Sequence, residues 1–304
     1  MSENITSNKD KLVFQLNNLV EGTIIKRPSK IIKSPYVADI IFEKNKEINE
    51  ILGHTASLGC CGLSNVGAKV LISKLPEIKK KIKTDQVVKP KCDYRVYLSL
   101  FQDKERNLET IIGIHPKLAE EIVEQSLLKN YLSKLQNIKT YKRETSIYVK
   151  GKVDSRFDFS GIDKNGIPFI MEVKNVPLAD YEDITSSEHK KRNYPPEQFD
   201  FNSKVAYFPD GYRKKTTDPV SPRALKHIQE LTLIKKESKT RCIMCYVIQR
   251  TDVNRFTVSV IDEQYREAVK KALECGVEIF TIVVEWNRDG SARFIRDDLP
   301  IVDL

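Results

Sequence analysis

Residues 153–176 read VDSRFDFSGIDKNGIPFIMEVKNV, and their pattern decides what the surrounding chain can be. Two runs rich in Phe, Ile and Val, 155–163 and 167–173, flank Lys164-Asn165-Gly166. Asn-Gly between apolar runs is the strongest short hairpin signal, because both residues tolerate positive φ. Side chains alternate along a strand, so Phe157 and Phe159 are expected on one side and Asp154, Arg156 and Asp158 on the other. In the return strand Met171 and Val173 share one side, and Ile170, Glu172 and Lys174 share the opposite one. A tight hairpin then brings Asp158, Glu172 and Lys174 together. Two adjacent carboxylates repel unless a cation lies between them, and oxygen-only ligation suits Mg2+ or Mn2+. A lysine two residues after the second carboxylate can orient a water molecule or stabilise charge on a phosphate oxygen. The chemistry implied is metal-dependent hydrolysis of a phosphodiester. A solvated, salt-bridged strand face accounts for the same spacing.

Downstream, the pattern alternates between helix and strand. The period changes at Pro116, where Leu118, Ala119, Ile122 and Ser126 share one face of a helix expected over 116–128. After the hairpin, 179–207 contains SSEHKKRNYPPEQ, lacks periodicity and reads as a surface insertion. Ser221-Pro222 supplies an N-cap and a first-turn proline, with Leu225, Ile228, Leu231 and Thr232 down one face. A strand over 241–249, a helix over 262–274 stopped by Gly276, and a last long strand over 277–286 complete a mixed α/β layer structure. Upstream, short strands are expected at 12–16, 22–26, 36–42, 68–72, 94–101 and 110–114, separated by turn residues such as Asn45, Gly59, Asn65 and Gly67. Closely spaced short strands with no amphipathic helix between them suggest a small barrel. Within it, 76–90 (PEIKKKIKTDQVVKP) carries five lysines against two acids, as a solvated loop or a basic arm that touches a phosphate backbone.

The chain has 304 residues, 40% of them hydrophobic, and a mean hydropathy of −0.41, which excludes a disordered or bilayer-spanning chain. At roughly 100–200 residues per domain this length suits two domains, taken as 1–110 and 111–304. The net charge of +9 is concentrated in 1–110, with 19 basic and 13 acidic residues, and favours an anionic partner. The start, MSENITSNKDK, lacks the order of a secretory signal, so an intracellular, reducing compartment is expected and the six cysteines are read as thiols. Cys242-Ile-Met-Cys245 has metal-like spacing but no second pair, and lies in a strand-like apolar run that favours burial.

The ordered blocks SRFDF, IPFIMEVKNV, YFPDG and ALKHIQEL resemble those of the sugar fermentation stimulation protein A family. Glu21 to Arg27, Ala38-Asp39-Ile40, His54 with Gly59, and Ile112-Gly113-Ile114 look like the family's N-terminal landmarks, so the likeness runs from about residue 20 to 286. The resemblance implies an α/β (α+β) protein: an OB-fold-like barrel that binds nucleic acid, followed by a PD-(D/E)xK, restriction-endonuclease-like domain with its insertion at about 179–207. It implies a DNA partner, with RNA as the alternative, and no membrane. Asp158, Glu172 and Lys174 match the superfamily's two metal ligands, for Mg2+ or Mn2+, and its catalytic lysine. Arg156, Asp210, Lys226 and His227 match family blocks. Arg156 is read as a phosphate contact or a neutralising partner for Asp158, Asp210 as a turn residue between Pro209 and Gly211, and Lys226 and His227 as either a phosphate-facing helix start or a solvated helix face. Superfamily nucleases often add an acid from the preceding helix; that position falls here at the neutral Gln125, beside Glu124, which favours one metal over two, or binding without cleavage. His54 reads as a structural histidine. The barrel residues Lys26, Arg27, Lys30 and Lys33 are the expected backbone contacts. The two functional expectations are a metal-dependent nuclease and a non-catalytic, regulatory DNA-binding protein that keeps the nuclease fold.

Overall fold

Short alternating strands with tight turns close on themselves in the N-terminal third of the chain, and longer apolar strands form a layered sheet in the remainder. The computed structural model describes residues 11–55, 62–76, 92–103, 107–185, 188, 191, 203–211, 215 and 217–304. The lysine-rich 77–91, the adjacent Cys60 and Cys61, Gly59 and most of 186–202 lie outside the described residues.

Leu12–Gln15 (β1) pairs with Ser291–Arg296 (β16), so the first strand belongs to the C-terminal sheet and not to the barrel where the sequence places it. Its Val13, with Leu16, buries among side chains of Pro116–Leu128 (α1), a gain that local pattern cannot reveal. Val20–Lys26 (β2), Val37–Lys44 (β3), Glu47–His54 (β4), Lys69–Lys74 (β5) and Tyr94–Asp103 (β6) form the ring β4-β3-β2-β5-β6. A parallel contact of Gly53 with Tyr94 and His54 with Arg95 closes it. Five strands closed in this way make an OB-like barrel, and Leu108–Gly113 (β7) extends it beside β6. Its core is Ile24, Ala38, Ile40, Val70, Ile72, Val96 and Ile112. Strand β4 was not expected because EINEILGH has no fully apolar face. It forms because Asn45 and Lys46 both take positive φ, 54° and 65°, the two-residue turn whose twist matches a hairpin.

The second sheet runs β1-β16-β15-β13-β10-β9-β8. Its central members, Pro168–Val176 (β10), Arg241–Ile248 (β13) and Glu278–Trp286 (β15), are parallel; Thr140–Val149 (β8) and Val153–Ile162 (β9) extend one side antiparallel. Parallel strands are buried on both faces, and here alternate residues divide between two cores. Met171, Val173, Ile243, Cys245, Phe280 and Ile282 pack under α1. Ile170, Met244, Tyr246, Ile279 and Val283 pack under Pro222–Glu237 (α2) and Glu263–Glu274 (α3). The expected N-cap is present, Ser221 accepting from the Ala224 N–H at 3.4 Å, and Asp262, read as the first residue of its helix, caps it by accepting from the Tyr265 N–H at 3.1 Å. Cys242 and Cys245 are fully buried in β13, and burial pushes the Cys242 thiol up to about 12, the inert state expected of structural thiols.

The segment read as an insertion is structured at both ends. Ala179–Asp180 (β11) and Lys204–Phe208 (β12) pair with each other, and β12 pairs in parallel with Val253–Val258 (β14). The barrel is fastened to the larger sheet by the Gly113 N–H, which donates to the Gln249 carbonyl at 3.1 Å, and by Leu71, Leu98 and Leu100, which join the α1-side core. Gly113 admits no side chain, since an added Cβ would lie 2.0 Å from Gln249 Oε1 and 2.5 Å from Trp286 Nε1. Among the described residues, no helix is long and apolar enough to cross a membrane.

Candidate functional site

The hairpin turn forms as expected: Gly166 has φ +84°, and Asp163 Oδ1 accepts from the N–H groups of Asn165 and Ile167, each at 2.9 Å. The β9–β10 ladder then runs from Pro168↔Ile162 to Met171↔Phe159 and stops. One residue further, the Asp158 carboxylate takes the place of the lost backbone acceptor, receiving the Val173 N–H on Oδ2 at 2.7 Å. From there β10 keeps pairing only with β13. The strands part at the point where Asp158, Glu172 and Lys174 meet.

The parting also overturns one expectation. Phe157 and Phe159 do not share a face: Phe157 packs in the α2-side core, 5.7 Å from the His227 ring, whereas Phe159 packs in the α1-side core. Strand β9 rolls over at Asp158, opposite Glu144, whose φ of +52° interrupts the β8 partner strand.

Glu172 is 2% exposed. Its Oε1 receives Lys174 Nζ at 2.5 Å and lies in hydrogen-bond contact with His227 Nδ1, while Oε2 is buried without a partner among the described residues. Burial alone raises a carboxylate, but the Lys174 charge and the His227 contact outweigh it and hold Glu172 below its ordinary value. Asp158 behaves oppositely. Burial and the neighbouring Glu172 charge push it up to about 7, against the pull of the Val173 N–H and Lys174. The site therefore has one carboxylate held ionised, one with a raised pKa, and an orphaned buried oxygen between elements. Added positive charge would favour the ionised form of both carboxylates, so this donor set fits a hard divalent cation. Among the described residues no group of three or more His, Cys, Asp or Glu side chains assembles to hold a metal, so the protein could offer two carboxylates and leave the other positions to water and substrate.

Glu120 of α1, which the sequence reading passed over, is the helix acid whose charge reaches Asp158 and helps raise it. Glu120 is itself paired with Arg143 of β8 at 3.2 Å, and the same guanidinium meets Glu121 at 3.0 Å and Glu124 at 2.7 Å. The expected position, Gln125, is half-buried and makes no side-chain hydrogen bond among the described residues. His227 belongs to the site through Glu172. Lys226 does not: its Nζ donates to the Asp154 carbonyl at 2.5 Å and sits 3.7 Å from Glu230, tying α2 to β9. Arg156 is exposed and pairs with Glu144 at 3.4 Å, not with Asp158. Asp210 Oδ1 accepts from the Gly211 N–H at 2.6 Å, the turn contact its neighbours suggest. In the barrel, Lys26, Lys30 and Lys33 are exposed, Lys30 meets Glu50 at 3.2 Å, and Arg27 is occupied by the Pro35 carbonyl at 2.8 Å and by Ser64.

A stability measurement checks the strain at Asp158. Its folded pKa lies above the unfolded value of 3.8, so its contribution is fully present below about pH 4 and is lost as pH rises through about 7. In metal-free buffer, Asp158→Asn is expected to be more stable than wild type at pH 8 by about 2–4 kcal/mol, with the difference vanishing near pH 4. Denaturant titration at the two pH values measures it, and an Asn variant weaker at pH 8 would contradict the assignment.

A family model described as the sugar fermentation stimulation protein RE domain matches residues 198–290. Sugar fermentation stimulation protein homologs of Idiomarina loihiensis and Alteromonas mediterranea are 25% and 27% identical to this chain, over 93% and 94% of it and 96% and 98% of their own lengths. A solved structure, that of Pyrococcus furiosus SfsA in complex with Ca2+, superimposes with a TM-score of 0.67 at 17% identity, covering 96% of this chain and 99% of that one, so the two share a fold.

Proposed function

Since the chain is a member of the sugar fermentation stimulation protein A family, we propose that it is a DNA-binding phosphodiesterase of the PD-(D/E)xK type, dependent on Mg2+ or Mn2+. The observation that carries the proposal is the meeting of Asp158, Glu172 and Lys174 where β9 and β10 part, with Glu172 buried and one of its oxygens unpartnered. Asp158 and Glu172 would hold the cation, which supplies Lewis-acid stabilisation of charge on the phosphodiester. The Pyrococcus furiosus relative was solved in complex with Ca2+, another oxygen-preferring cation, which agrees with such a donor set. His227 keeps the Glu172 carboxylate in one orientation. Lys174 places an ammonium beside that carboxylate, where it can orient the attacking water and offset charge on a phosphate oxygen. The OB-like barrel, with exposed Lys26, Lys30 and Lys33, would follow the strand backbone.

A second reading, DNA binding without cleavage, is favoured by one feature: Glu172 Oε1 is already engaged by both Lys174 and His227. One assay separates the two. Purified protein is expected to nick plasmid DNA or shorten single-stranded DNA with Mg2+ or Mn2+ and not with EDTA. Glu172→Ala should lose at least about 100-fold of that rate. Retardation of DNA with no cleavage in either metal would decide for the binding protein.

A further inference from the structure

A second group of basic side chains lies where the barrel closes, outside the carboxylate site. His54 and Arg95 face each other across the parallel β4–β6 contact. Two residues beyond Arg95, the Tyr97 carbonyl accepts the N–H groups of Ile114 and His115 at 3.0 and 3.3 Å. His115 is therefore seated against β6, its ring 5.3 Å from that of Tyr97, while the Arg95 guanidinium stands 6.0 Å from the same Tyr97 ring. These contacts bring His54, Arg95 and His115 into one cluster.

The cluster lacks what a buried structural cluster requires. Buried polar groups are normally paired, and each unpaired one costs about 1–3 kcal/mol. Here His54 Nδ1, Arg95 Nε and His115 Nδ1 are all buried without a partner, and none of the three side chains makes a hydrogen bond or ion pair among the described residues. Among the described residues no acid pairs with them. Burial above all, and then the neighbouring Arg95, His54 and Lys117, bring His115 down to about 4. Uncompensated positive potential around unpartnered donors is the electrostatic form of an anion site.

The end of α1 adds to it. His115 is its N-cap, 8% exposed, with no side-chain capping bond, and the first turn of this 13-residue helix carries no acid, so the helix dipole favours the same anion. Tyr36, 41% exposed and stacked on His54 at 6.4 Å, presents an aromatic face beside the cluster. The cluster is also coupled to the carboxylate site. Asn175, next to Lys174, accepts from Gln249 Nε2 at 2.6 Å, and the Gln249 carbonyl receives the Gly113 N–H two residues before His115. Along α1, Glu120 follows His115 by about 7.5 Å of helix rise, of the order of one nucleotide step.

We propose that Arg95, His115, His54 and the N-terminus of α1 form a phosphate-binding site that holds a nucleic-acid strand one or two nucleotides from the carboxylate centre, with Tyr36 as a stacking platform for the adjoining base. Arg95 supplies the guanidinium fork suited to phosphate oxygens. The site deepens the functional reading above and rests on it for the identity of the strand, whereas phosphate capture is tested without cleavage. In EDTA, calorimetric titration of the full-length protein with a thymidine tetranucleotide is expected to lose about tenfold in affinity in Arg95→Gln and in His115→Gln, and to be unchanged in Lys239→Gln, an exposed lysine outside both sites. Inorganic phosphate should compete in wild type and not in Arg95→Gln. A 5′-phosphorylated tetranucleotide binding several-fold tighter than its 5′-hydroxyl counterpart assigns a terminal monoester; equal binding assigns an internal diester. Equal affinity of wild type and Arg95→Gln overturns the proposal. So does the absence, in wild type, of any shift of the His115 and His54 imidazole nitrogen resonances at saturating phosphate, a measurement that stands even where a variant does not fold. Failure of wild type to cleave DNA with metal would sink the nuclease reading and leave these binding results intact.

Discussion

Lys174→Gln is expected to lower Mg2+-dependent DNA cleavage by about 10³-fold while leaving DNA affinity within about threefold of wild type. The ammonium sits 2.5 Å from Glu172 Oε1 at the mouth of the gap between β9 and β10. Glutamine keeps much of the side-chain volume and a hydrogen-bond donor, yet removes the charge that can offset a phosphate oxygen as its negative charge grows. Binding should persist because one cation in the catalytic gap is a small part of the charge that meets a nucleic-acid backbone. Rates from a fluorescent oligonucleotide assay and affinities from the same oligonucleotide in Ca2+ give the two numbers. If cleavage falls less than tenfold, Lys174 serves the fold and not the chemistry.

Asp252→Asn is expected to cost about 3–5 kcal/mol, a large part of the 5–15 kcal/mol that a typical domain possesses. Asp252 is 0% exposed and takes Arg250 in a two-point contact, 2.6 Å at each oxygen, with Lys204 at 3.4 Å. Lys204 also meets Asp103 of the barrel strand β6 at 3.0 Å, and both cations lie against the Phe101 ring, at 5.1 and 5.6 Å. Removing the central charge takes away the carboxylate that Arg250 and Lys204 share, in a place that water reaches poorly. Because the network joins β6 to β12 and the segment after β13, the loss should also loosen the barrel from the larger sheet. Guanidinium unfolding followed by Trp286 fluorescence measures the first effect. A loss below 1 kcal/mol would show that the network is solvated. This variant and Lys174→Gln should separate cleanly, one losing stability and the other losing rate.

The helices were legible nearly to the residue because their information is local. Pro116, Ser221-Pro222 and Asp262 mark starts, and apolar positions three and four apart mark the buried face of α1 and α2. Strands β4, β8, β14 and β16 were missed, as were β11 and β12 within the segment read as an insertion. In β8, TYKRETSIYV, every residue is half-buried or exposed, so an edge strand carries no apolar stripe to read; it exists because β9 offers it a ladder. The carboxylate pair and lysine could be read because alternation is also local. Glu120 could not, since its approach to Asp158 depends on how α1 is rotated against β10, a matter of packing and not of spacing.

By itself, then, the sequence determined which segments are helix or central strand, the hairpin turn, and the choice of Asp158, Glu172 and Lys174 as neighbours. Only the tertiary structure decided that β1 leaves the barrel, that β9 rolls over at Asp158, that His227 and Lys174 share one oxygen of Glu172, and that His54, Arg95 and His115 come together with buried nitrogens unpartnered among the described residues. The first set rests on steric and periodic preferences acting over a few residues. The second rests on contacts between segments far apart in the chain, whose loop-closure cost is met only when the whole core forms, so no local window of sequence contains them.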